Sequence, residues 1–240
     1  MKTRILLLMV IIVLTAGPTA WADKLLTNDE QRAARFALLE IQTKVNSLKA
    51  SGTLEAARLL EERLRELNVV EFRKEATGPI DTPIVMLGRL AGGDYYAYTM
   101  PGTPGVIYLH DNFFALTSNA ADPSRQRLAT LEQASLLLHE NMHLNHDAAE
   151  GDAYKEQYKW LRFMGINADG SVDWTARMAD GSKYKSTIMI NTLTKLREQG
   201  VDVAALENSL KLPPPPQKPP STHGKTGGNP EPSYPGWHHR

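Results

Sequence analysis

The sequence predicts an α+β domain, with a small, mostly antiparallel sheet flanked by N-terminal and C-terminal helices. Three observations lead there. Apolar residues recur at helical spacing through residues 28–67 and again after Pro123. Between these stretches lie four short runs rich in β-branched and aromatic residues, separated by glycine- and proline-rich turn signals. The chain has no cysteine, so its stability must rest on an ordinary apolar core rather than on disulfides.

The N-terminus reads as an export signal. Lys2 and Arg4 precede an unbroken apolar run over residues 5–14, followed by Gly17, Pro18 and Ala20-Trp21-Ala22. A basic start, a short apolar stretch and a small-residue end are the parts of a secretory leader. The run falls well short of the roughly 20 residues that span a bilayer. Residues 1–22 are therefore read as a signal peptide, and the mature protein as exported, periplasmic or extracellular, with no membrane attachment after cleavage. Removing Lys2 and Arg4 from 27 basic residues leaves 25 against 27 acidic ones. That balance argues against an electrostatic nucleic-acid binder.

Residues 23–212 are expected to form one domain that opens with a helical hairpin. Its first helix covers 28–49, with Asp29 and Glu30 in the first turn, where acidic groups suit the helix dipole. Phe36, Leu39, Ile41, Val45 and Leu48 are its apolar positions. Ser51-Gly52-Thr53 separates it from a second helix over 53–67, with Leu54, Ala57, Leu60 and Leu64 on one face. Strands are predicted at 69–73, 84–90, 95–100 and 106–109, the last as an edge strand, with Gly92-Gly93-Asp94 as a hairpin turn. Helices are predicted again over 128–145, 148–164, 183–199 and 202–211. From Pro213 the chain is rich in proline, glycine and serine, and 213–240 reads as a disordered or polyproline-like tail.

The chemistry concentrates in His139-Glu140-Asn141-Met142-His143. Residues four apart on a helix share a face, so the two imidazoles project side by side and can share one cation. Glu140 lies near the same side. Two neutral imidazoles and an adjacent carboxylate form the H-E-x-x-H arrangement, with a zinc-ligand pair and a general base. Zinc acidifies its water and polarises a carbonyl, while the carboxylate takes the water proton and returns it to the leaving amine. With no thiolates in the chain, zinc must sit on His and carboxylate ligands, a set that suits a catalytic site.

Together with the strands before it and Glu150-Gly151-Asp152-Ala153-Tyr154 after it, this segment resembles the zincin metallopeptidases. The match to Glu-x-x-Ala narrows the resemblance to the glutamate-liganded, gluzincin-like group, over about a quarter of the chain. It implies a zincin-like fold, one Zn2+ held by His139, His143 and Glu150, and Glu140 as base. Asn141 and Asn145 depart from the usual apolar residues, and the gap from His143 to Glu150 is short. The third ligand therefore stays open. Asp147 and Glu156 are alternatives, and His146 joins only if the helix breaks before it, with Asn145 as a cap able to break it. Glu150 has a competing role as capping-box partner of Asp147.

Tyr154 lies one turn after Glu150 and is a candidate donor to a transition-state oxyanion, with a packed ring as the plainer role. His110-Asp111-Asn112 reads as a polar loop at a strand end. Tyr95, Tyr96 and Tyr98 alternate as a strand would. His238-His239 falls in the tail. No Ser-His-Asp signature, phosphate-binding glycine loop or thiol nucleophile is present. The expected function is an exported zinc metalloendopeptidase acting on a peptide or protein. The alternative is an envelope protein that binds metal or a partner through the same helix without catalysis.

Overall fold

Thr27 starts the first helix. Its hydroxyl accepts from the Glu30 amide while the Glu30 carboxylate accepts from the Thr27 amide, a reciprocal capping box. The helix, α1 (Asn28–Ala50), buries Ala34, Ala37, Ile41, Val45 and Leu48. Leu39, expected on this stripe, points outward at 56% exposure. Ala34 and Ala37 take inner positions instead. That helix, α2 (Leu54–Leu67), buries Ala57, Leu60, Leu64 and Leu67 and completes the predicted hairpin, with Leu54 left exposed. The computed structural model describes residues 24–74, 95–100, 103–120, 122–172 and 183–210. The leader, the strand at 84–90, the turn at Gly92-Gly93-Asp94 and the proline-rich tail lie outside them.

Four strands form one sheet: β1 (Lys24–Leu25), β2 (Glu71–Lys74), β3 (Ala97–Tyr98) and β4 (Val106–Leu109), in the order β1-β2-β4-β3. The outer pairings are antiparallel, but the central pair β2/β4 is parallel, in register Glu71↔Val106 to Lys74↔Leu109. A strand's composition reports its pleat and burial, whereas its direction depends on the connection, and a parallel pair needs a long one. β4 is also not an edge strand. It lies inside the sheet with all four residues buried, and among the described strands β1 and β3 are the edges.

The predicted loop after β4 is a helix, α3 (Asp111–Ser118). The His110 ring accepts from the Asn112 amide through Nδ1 and caps it. Eight residues carry too little periodicity to announce a helix. α4 (Pro123–His146) begins five residues earlier than its apolar pattern, at an Asp122 cap accepting from the Arg125 amide and a proline in the first turn. It runs between the two clusters of buried side chains. One joins α1, α2, the sheet and α3, and the other joins α5 (Glu150–Phe163), α6 (Thr187–Glu198) and neighbouring loops. The short α7 (Val203–Ser209) is pinned by Glu207, which accepts from Tyr158 and Arg162 of α5. The protein is thus mixed α and β and mostly helical. Among the described residues no helix is long and apolar enough to cross a membrane.

Candidate metal centre

α4 is buried on nearly every side through its middle, and its C-terminal turns carry the motif. His139 and Glu140 are each 7% exposed, and Asn141 is fully buried. The helix does not end at Asn145. It continues to His146 and is capped by Asp147 in the left-handed conformation, φ 46° and ψ 36°. An aspartate tolerates this region better than most residues. The turn reverses the chain so sharply that α5 begins at Glu150, after an Ala149 cap that makes no side-chain hydrogen bond. The capping-box role for Glu150 is therefore not taken up.

Glu150 instead folds back onto the two histidines. His139 Nε2 and His143 Nε2 lie 3.1 Å apart. Glu150 Oε2 is 3.6 Å from the first and Oε1 is 3.5 Å from the second. Ligand atoms about 2.0–2.1 Å from a tetrahedral zinc stand roughly 3.3–3.4 Å apart. The two nitrogens stand close to that spacing, each has a different Glu150 oxygen within 3.6 Å, and one ligand atom from each of the three residues lies within 4.8 Å of the others, a set able to share one cation. Among the described residues they are the one set of His and carboxylate side chains that converges this way. The short gap after His143 is explained by the left-handed turn, which needs only three residues to bring Glu150 round.

The tautomer is fixed as well. His143 Nδ1 lies 2.9 Å from the Ala148 carbonyl, and a carbonyl only accepts, so Nδ1 carries the hydrogen. The Nε2 lone pair of the neutral ring then faces the cluster, the arrangement by which an outer hydrogen bond prepares an imidazole for a metal. His139 Nδ1 is buried with no hydrogen-bond partner among the described residues. The Tyr154 ring packs against His139, centroids 4.6 Å apart. Burial first, then the nearby Glu150 and Glu140 carboxylates, push the Tyr154 hydroxyl up to about 12, so it is protonated and able to donate at neutral pH.

The other candidate ligands are engaged elsewhere. Both Glu66 carboxylate oxygens lie within 3.1 Å of His146 Nε2. Glu156 accepts from the Trp160 indole at 2.6 Å, and Asp147 is the helix cap. His110 caps α3, and its ring lies tilted against Tyr95, centroids 4.5 Å apart. The Ala148 carbonyl is a participant that side-chain reasoning could not find, because its identity is irrelevant to the contact. The Glu66 contact to Asn141 had one visible signal, a polar residue inside an apolar stretch.

The electrostatics follow from the geometry. Burial pushes the Glu140 carboxyl up, against the pull of the two histidines. The His139 and His143 rings hold Glu150 far below the ordinary carboxylate range. The Glu150 carboxylate beside His143, helped by Glu140, raises that imidazole to about 8. In the metal-free protein His143 is therefore protonated at neutral pH. Its ion pair with Glu150 contributes fully below the unfolded value near 6.5 and is lost as pH rises through about 8. A cation must displace that proton. Zinc affinity is expected to rise about tenfold per pH unit up to about 8 and to flatten above. Chelator competition between pH 6 and 8.5 checks this, and a flat profile would contradict it.

Compared with known proteins, the chain matches no family model, no curated protein and no solved structure. The site is therefore judged on its own residues.

Proposed function

We propose that this chain is an exported, zinc-dependent peptidase of zincin type, in which His139, His143 and Glu150 hold the metal and Glu140 is the general base. The observation that supports it is the convergence of two imidazole nitrogens and one carboxylate beside the buried Glu140 carboxyl group. When bound, zinc supplies a Lewis acid and a water acidified towards neutrality. The protein does the rest. Glu140, desolvated and poised upward in pKa, takes a proton from the attacking water and delivers it to the departing amine. Tyr154, protonated and packed on His139, would serve as the donor to the oxygen that gains charge. Glu150, at the first turn of α5, would hold the cation with the two histidines and balance its charge, from a side chain that is 58% exposed. The substrate is a peptide or protein.

The test is metal content, with hydrolysis of an unfolded protein mixture measured on the same preparation. Protein purified without chelator or affinity metal should carry about one zinc per chain, and its hydrolysis should vanish with chelator and return with zinc. Zinc without hydrolysis would leave a metal-binding envelope protein. Folded protein that neither contains nor takes up zinc would refute both.

A further inference from the structure

Asn141 occupies an unfavourable place. Its side chain is fully buried, and a buried amide is costly unless its hydrogen bonds are made. Both ends are satisfied, and by functionally placed partners. Asn141 Nδ2 donates to Glu66 Oε2 at 2.6 Å, and its Oδ1 accepts from Asn145 Nδ2 at 2.7 Å. The same Glu66 carboxylate holds His146 Nε2 at 3.0 Å and Arg63 Nη1 at 3.3 Å. Arg63 Nε in turn faces Glu156 Oε1 of α5 at 3.9 Å. Arg63 and Glu66, one turn apart on α2, thus reach both helices that supply the metal-facing side chains.

The position of these contacts along α4 gives them a consequence. The last carbonyls of a helix lack intrahelical partners, and helix ends open before helix centres. That last turn contains His143 and leads into the left-handed Asp147. Glu66 grips it through Asn141, which points away from the histidine pair, and through His146 in the last turn itself. We infer that Glu66 is a positioning residue for the metal centre: by tying Asn141 and His146 to α2 it holds the final turn of α4 wound, and so keeps His143 and the turn to Glu150 in metal-binding register. This rests on the reading of His139, His143 and Glu150 as a metal site. It makes the N-terminal hairpin part of the working site rather than only its wall.

The experiment compares zinc affinity, by chelator competition, in the full mature chain and in Glu66→Ala, Glu66→Gln and Leu60→Ala. Leu60 is fully buried on the same helix and outside the network, so its variant reports destabilisation alone. Glu66→Ala should bind zinc about tenfold or more weakly, the lower end of what an outer contact contributes. Glu66→Gln keeps one oxygen for Asn141 and should recover most of the loss. Leu60→Ala should melt lower yet bind as wild type does. Wild-type affinity in Glu66→Ala, with one zinc in the wild type, overturns the positioning role and leaves the metal site standing. A wild type that binds no zinc overturns the metal reading and this inference with it. Should Glu66→Ala not fold, His146→Ala replaces it, at an exposed position. With cobalt in the site, weaker binding and unmoved absorption bands support positioning. Moved bands would make His146 a ligand and overturn it, as would unchanged affinity.

Discussion

Replacing Glu140 with Gln is expected to lower the rate of peptide hydrolysis by about 10²–10⁴-fold, the usual contribution of a positioned acid–base group, and to leave bound zinc at the wild-type level. The substitution keeps the shape of a side chain that is only 7% exposed, so packing around α4 is undisturbed. It removes only the ability to take and return a proton. Burial favours this variant, because the native carboxyl is already pushed up from its ordinary value and a neutral amide is readily housed there. The measurement pairs kcat on an unfolded protein substrate with elemental zinc on the same sample. Undiminished hydrolysis would remove Glu140 as base. Loss of zinc along with activity would make it a ligand instead.

His143→Ala and His139→Ala are both expected to abolish stoichiometric zinc, with a fall larger than the roughly 10–100-fold attached to losing an outer contact. Their effects on the metal-free fold should differ. His143 is partly exposed, and its partner Glu150 is 58% exposed, so the ion pair it loses contributes little. His139 is buried under the Tyr154 ring, and truncation there leaves a cavity as well as a missing ligand. The melting temperature in chelator should drop clearly for His139→Ala and only slightly for His143→Ala. Zinc retained at one per chain in His143→Ala would show that the histidines do not hold it.

What the sequence made legible and what it did not divides along physical lines. The hairpin α1–α2, the last strand and the long helix under the motif were readable, because helical and pleated periodicities are local. The side-by-side placement of His139 and His143 follows from the same periodicity. Glu150 beside them rested on a resemblance, and the turn that brings it there was misplaced by two residues, at Asn145 rather than Asp147. Either residue tolerates the left-handed region, so composition did not separate them. The parallel pairing of β2 with β4 depends on a connection, and α3 was too short to show a period. Glu66 was invisible for a different reason. On a helix whose outer face is charged, one glutamate looks like its neighbours until the fold brings Asn141 and His146 to it.

The left-handed turn at Asp147 has a bearing on how the molecule comes together. Because it reverses the chain within three residues, the three side chains that could hold a cation all lie within residues 139–150. Closing so short a loop costs little chain entropy, and contacts of low sequence separation form quickly. The partners of Glu66 lie 75 and 80 residues away from it, and that closure comes late. Assembly of the three side chains and their reinforcement are thus expected to be separate events in folding. On the proposed metal reading, the elbow between α4 and α5 is expected to form before the N-terminal hairpin arrives to support it.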